Sequence, residues 1–162
     1  MSLSLLILLS IRAYAQAPQI DRIDVVEYGI YTADEQAHKL VPGAAAGTEN
    51  IVGNIHHILT TRNIPAQQGV HFGFLFTPIG GPEDKTVTVR QVTIFPPSGL
   101  RNPDTQQLSV QEEYDIDARL GKTIFKGYCF DNDWEVVPGV WTFQQWYQGR
   151  KLVDQVFTVV NQ

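Results

Sequence analysis

Val70-His71-Phe72-Gly73-Phe74-Leu75-Phe76 is the stretch whose reading decides the fold. A strand sends successive side chains to opposite faces. Val70, Phe72, Phe74 and Phe76 therefore share one apolar face, and three aromatic rings at every second position do not fit one face of a helix. Downstream, Gly80-Gly81-Pro82-Glu83-Asp84 is a strong turn. Residues 86–95 then resume the alternation, with Val87 and Val89 set against Thr86, Thr88 and Arg90, until Pro96-Pro97-Ser98-Gly99 ends the run.

The same grammar extends outward. Residues 20–32 open the fold with Ile23, Val25, Tyr28 and Ile30, and Gly29 is a candidate bulge between the two halves. Residues 40–48 read as a flexible loop or a weak turn. Residues 51–62 carry Val52, Ile55, Ile58 and Leu59 without clean alternation, which leaves strand and helix both open. Residues 113–118 read as a strand with Glu113, Asp115 and Asp117 on one face. Residues 123–130 form another. Pro138-Gly139 introduces residues 140–147, Gln148-Gly149 is a two-residue hairpin turn, and residues 151–160 close the chain. The fold class is all-β: an antiparallel β-sandwich of about seven to eight strands, immunoglobulin-like, with a closed barrel as the alternative. The predicted core is Phe72, Phe74, Phe76, Val87, Val89, Trp141, Phe143 and Phe157. Burying each aromatic contributes about 2–3 kcal/mol, reason enough for them without a ligand.

Length and composition bound the rest. The 162 residues suit one domain with a core that needs no metal or disulfide staple, and 43% apolar with 18% charged residues marks a globular chain. Leu3 to Ile11 is almost unbroken apolar sequence, and Ala13-Tyr14-Ala15 places small residues where a signal peptidase reads. Residues 1–15 are thus expected to be a secretory signal peptide and residues 16–162 the exported β-sandwich domain. No Lys or Arg precedes the apolar run. The run is too short to span a bilayer, and no membrane insertion is expected once it is removed. Removal takes Arg12 alone, so Lys+Arg falls from 12 to 11 against 17 Asp+Glu, a net charge of −6. An acidic chain with no basic stripe is a poor partner for nucleic acid. Cys129, the one cysteine, cannot form an internal disulfide, and its setting in Tyr128-Cys129-Phe130 reads as a buried, inert thiol.

Several segments resemble a bacterial family of exported proteins catalogued only as a domain of unknown function. They are Tyr28-Gly29-Ile30-Tyr31, Gly69-Val70-His71-Phe72-Gly73-Phe74, Phe95-Pro96-Pro97-Ser98-Gly99-Leu100, Tyr128-Cys129-Phe130 with Asp133-Trp134-Glu135, and Pro138-Gly139-Val140-Trp141-Thr142-Phe143 with Gly149-Arg150-Lys151-Leu152. The resemblance covers roughly residues 20–160. It implies a β-rich fold and export, and it brings no catalytic residues.

The chemistry-bearing residues point away from catalysis. His38, His56, His57 and His71 lack the spacings that put two imidazoles on one strand face, so strand histidines on a solvated face are preferred to a zinc or copper site, and no metal or cofactor is expected. Asp131-Asn132-Asp133-Trp134-Glu135 begins like a calcium loop but lacks the central glycine and terminal bidentate Glu, and reads instead as a solvated loop anchored by Trp134. The Glu113, Asp115, Asp117 row suits edge protection better than acid–base work. There is no Gly-x-Ser-x-Gly elbow. In residues 140–147, alternation that buries Trp141 and Phe143 turns Trp146 outward beside Gln144. An outward Trp flanked by amides stacks on a sugar or anchors a protein. The expected function is a non-catalytic binding or assembly module of the cell envelope, periplasmic or extracellular. Its contact set is Trp146, Gln144 and Arg150, and its partner an envelope protein or glycan. Two alternatives stand beside it: an envelope hydrolase or metal-binding protein using the carboxylate row or His57 with His71, and a structural domain pairing through an edge strand.

Overall fold

The computed structural model describes residues 16–161. The expected signal peptide, residues 1–15, lies outside them. Strands take up most of the described residues, and the one helical turn is a 3-10 segment, Asp133–Glu135. The strands are β1 (Gln19–Leu40), β2 (Thr48–Leu59), β3 (Asn63–Pro65), β4 (His71–Gly81), β5 (Thr86–Ile94), β6 (Leu100–Arg101), β7 (Leu108–Ser109), β8 (Gln111–Arg119), β9 (Ile124–Cys129), β10 (Gly139–Tyr147) and β11 (Arg150–Val160). Eleven strands exceed the expected seven to eight because β3, β6 and β7 have only two or three residues, too short to show a period in sequence.

Two sheets form the sandwich. One runs β2-β1-β4-β9, the other β3-β11-β10-β5-β8, and β6-β7 is a separate small ribbon. Pairing is antiparallel except for β3 against β11. All eight expected core residues are buried. Trp141 sits at the centre, with ring centroids 5.0 Å from Phe95 and Tyr128, 5.6 Å from Phe130 and 5.7 Å from Phe72. Its indole N–H donates to Val137 O at 2.9 Å, so burial leaves no orphan donor. Phe72 adds tilted and edge-on contacts to Phe130, Phe143 and Phe157, each such pair adding about 0.5–1.5 kcal/mol to area burial. The Gln148-Gly149 turn has positive φ at both residues, 48° and 77°, as a two-residue hairpin requires.

Over residues 51–62 the structure decides for strand as far as Leu59, and residues 60–62 connect β2 to β3. β2 reads poorly because its pairing with β1 has three register shifts, each of which flips side-chain parity. Gly29 is not itself a bulge of the β1–β4 ladder, whose two register shifts lie between Ile20 and Arg22 and between Val25 and Glu27. Gly29 instead pairs with Gly73, and Gly73 with Gly127. A Cβ on any of these three glycines would collide with the backbone of the adjoining strand, and Gly29 has φ +140°. The glycine row lets three strands approach closely along one line across the sheet.

Beyond Tyr31, β1 no longer pairs with β4. Residues 32–40 and 48–56 pair only with each other, an arm that extends past the β4 ladder. The loop at its tip returns to the opposite sheet, where Glu113 N–H donates to Gly43 O at 3.3 Å.

Candidate functional site

Two concavities stand out. The first lies on the outer face of the five-stranded sheet. Register aligns Trp146 with Arg90 and Asp115 across β10, β5 and β8, and Gln144 with Val92 and Glu113. These residues, with Ile94, Gln111, Thr88, Gln148 and Gly149, line a groove of about 570 Å³. Trp146 is half-buried, and its indole N–H donates to Gln144 Oε1 at 2.9 Å. Gln144 Nε2 donates in turn to Asp154 at 3.2 Å, and Lys151 Nζ to the other Asp154 oxygen at 2.7 Å. The Lys151 hydrogen bond, ahead of the Gln144 one, holds the Asp154 carboxyl below its usual range. Arg90 donates to Asp115 at 3.1 Å and lies 3.9 Å from Glu113. The groove thus presents one aromatic ring in a fixed setting, planar amides and two carboxylates braced by a guanidinium.

Sequence reasoning held Trp146 and the carboxylate row apart, and the structure unites them. Glu113, Asp115 and Asp117 do share one exposed face. Arg150 does not join them. It pairs with Tyr147, whose side chain points inward, and its guanidinium donates to Ile20 O of β1 at 2.9 Å, tying the two sheets together. It lies outside the groove lining.

The second concavity, about 520 Å³, is a cleft between the β1–β2 arm and the edges of β8 and β9. The edge strand β9 gives it side chains of both parities, Phe125 and Cys129 as well as Lys126 and Tyr128. One of its two buried carboxyls is Glu112, 7% exposed, whose Oε2 accepts Ala45 N–H at 3.0 Å. Burial pushes the Glu112 carboxyl up to about 7, partly opposed by the hydrogen bonds from Ala45 and Thr93 and reinforced by Glu49 and Glu135. Glu135 is also buried. It accepts from Tyr128 OH at 3.0 Å, from Asn132 N–H at 2.7 Å and from the Asn132 amide at 3.2 Å, yet burial still raises its carboxyl. Lys126 pairs with Glu49 and lies 5.7 Å from the centre of the Tyr114 ring.

Two sequence readings change here. In the 131–135 segment, residues 131–133 are exposed and Trp134 packs against the core as the expected anchor, but Glu135 is turned inward and Asp131 accepts from Asn50 at 2.7 Å. His57 and His71 each lie opposite Tyr31 on different sides of β1, so a whole strand separates them. His57 faces Glu27 and Tyr28 O, while His71 Nε2 is 3.2 Å from Cys129 Sγ. Among the described residues no three His, Cys, Asp or Glu side chains converge on a metal position. Cys129 is half-buried, and burial, with Asp131, Glu135 and Glu35 nearby, pushes its thiol far up, opposite to the shift a nucleophilic cysteine needs. Glu112 and Tyr114 went unremarked in sequence. Their signal was parity: Glu112 shares the inward face of β8 with Ile116 and Ala118.

A family model described as a domain of unknown function, DUF3859, matches residues 20–159. The chain belongs to the DUF3859 family. The match spans both the groove and the cleft, so each is built from DUF3859 sequence. No curated protein matches the chain. Among solved structures, this DUF3859 chain is similar to an immunoglobulin-like protein from Pseudomonas aeruginosa at 23% identity and a TM-score of 0.58, covering 90% of this chain and 98% of that one. That likeness establishes the immunoglobulin-like fold for the DUF3859 domain.

Proposed function

We propose that this protein is an exported, non-catalytic binding module of the cell envelope, and that its contact surface is the groove around Trp146. One observation carries the reading: a half-buried indole is locked to the Gln144 amide on a sheet face that also bears Gln111, Glu113 and Asp115. That combination suits a glycan. The apolar face of a sugar ring stacks on indole, while its hydroxyls take hydrogen bonds from amides and give them to carboxylates. The fixed side chains lower the ordering cost of binding. Export is supported by the apolar Leu3 to Ile11 run followed by Ala13-Tyr14-Ala15.

The test is co-sedimentation of residues 16–162 with insoluble envelope polysaccharide from the host. Trp146→Ala is expected to weaken retention by about 5- to 30-fold, the loss of about 1–2 kcal/mol typical of a stacking contact. Unchanged retention, or no retention of the wild type, removes the groove from consideration. Mass spectrometry of protein recovered from the host envelope checks export, with a chain starting at Gln16 expected. An intact residue 1–15 segment counts against it.

Edge pairing is the weaker reading. β2 is a 12-residue open edge with exposed Ile51, Ile58 and Leu59, but its three register shifts break the regular backbone spacing an added strand needs.

A further inference from the structure

We propose that the β1–β2 arm is a latch over the cleft, and that Glu112 is the titrating group that releases it as pH rises. The inference is independent of the groove. The arm is held mostly by polar links. Ala45 N–H reaches Glu112, Glu113 N–H reaches Gly43 O, Asn50 reaches Asp131, and Glu49 reaches Lys126. Between residues 32 and 60 the only buried side chain among the described residues is Val41, at 7% exposed. A segment with so little buried apolar area opens at low cost, without unfolding the sandwich.

The closed latch traps a carboxyl without a cation. Facing Glu112 are Glu49 from β2, Glu135 from the 3-10 turn, Lys126 and Tyr128 from β9, and Tyr114 from its own strand. Farther out in the same cleft lie Glu35 and His38 from β1, His71 from β4, and Cys129 and Asp131 at the end of β9. Among the described residues Lys126 is the one lysine or arginine in the lining, and Glu49 already holds it. An ionised Glu112 is therefore a buried charge beside two other carboxyls, with a single N–H from Ala45 and Thr93 for support. Opening the arm returns it to water.

The sign follows from linkage. The closed form holds the Glu112 proton up to about pH 7, against 4.5 unperturbed. Closure is therefore fully favoured below about pH 4.5, weakens as pH rises, and has lost this contribution above about 7. Full hydration on opening makes the largest shift in the closed-to-open ratio about 300-fold.

Hydrogen-exchange mass spectrometry of residues 16–162 at pH 5 and pH 8, corrected for intrinsic rates, reads the latch. Peptides from residues 32–56 are expected to lose between about 10- and 70-fold protection at pH 8, the upper figure being the part of the full shift that lies between these two pH values, while β4 peptides keep theirs. Glu112→Gln, which keeps the shape and discards the titration, is expected to give equal arm protection at both pH values. Equal protection in the wild type, or undiminished pH dependence in the variant, overturns the proposal. Should the variant not fold, carboxyl-carbon NMR titration of the wild type decides. A glutamate titrating near 7 together with the arm amides supports the latch, and glutamates that all titrate near 4.5 overturn it.

Discussion

Gln155→Leu is expected to stabilise the protein. On the inner face of the five-stranded sheet, Gln91, Gln145 and Gln155 lie among mostly apolar side chains, and all three are buried. Gln145 Nε2 donates to Gln91 Oε1. Gln145 Oε1 and Gln155 Nε2 find no partner among the described residues. A buried donor without a partner costs about 1–3 kcal/mol. Gln155 sits opposite Phe143 and between Val153 and Phe157 on its own strand, so leucine meets apolar neighbours. Relief of the orphan donor is expected to add about 1–2 kcal/mol, raising Tm by about 3–6 °C for a chain of this size. Gln91→Leu is expected to move the other way by about 1–3 kcal/mol, because it strands Gln145 Nε2 while Gln145 Oε1 stays unpaired. Replacing Gln91 and Gln145 together by leucine removes the broken pair and is expected to recover most of that loss. Urea unfolding of the wild type and the three variants measures all four terms. A loss above about 1 kcal/mol for Gln155→Leu, or equal effects of Gln155→Leu and Gln91→Leu, refutes the reasoning.

Gly73→Ala is expected to cost about 3 kcal/mol in the same assay, since its methyl would press on the backbone of β9; a variant within 0.5 kcal/mol (about the spread of a surface change) shows that the strands part freely. Cys129 is expected to react with iodoacetamide at pH 8 at least about tenfold more slowly in the native protein than in urea, because the native cleft keeps the thiol protonated; equal rates show an accessible thiolate.

The sandwich was legible wherever alternation was strict. Phe72, Phe74 and Phe76 on β4, Val87 and Val89 on β5, and Trp141 and Phe143 on β10 fall inward as their parity demands. Legibility failed at β2, where register shifts reset the parity that periodicity measures. The groove was half legible. Parity turned Trp146 and Gln144 outward, and parity put Glu113 and Asp115 on one face, but only the β10-β5-β8 strand order brings those faces together. Arg150 stands apart from the groove because a residue at a turn has no fixed parity, and its long side chain crosses to the other sheet. The cleft was the least legible. Its residues come from β1, β2 and the loop between them, β4, β8, β9 and the 131–135 segment, and nothing local in sequence says that the arm folds back onto β8.

An edge strand that lends both of its faces to one cavity has no idle positions. In an ordinary sandwich strand every second residue looks at solvent and drifts freely. Along residues 124–129, Phe125, Lys126, Gly127, Tyr128 and Cys129 all border the cleft. Tolerance to substitution there should form one unbroken band of intolerance instead of a comb. Variation in this family would then be read correctly at β9 only by a ruler that ignores the two-residue period.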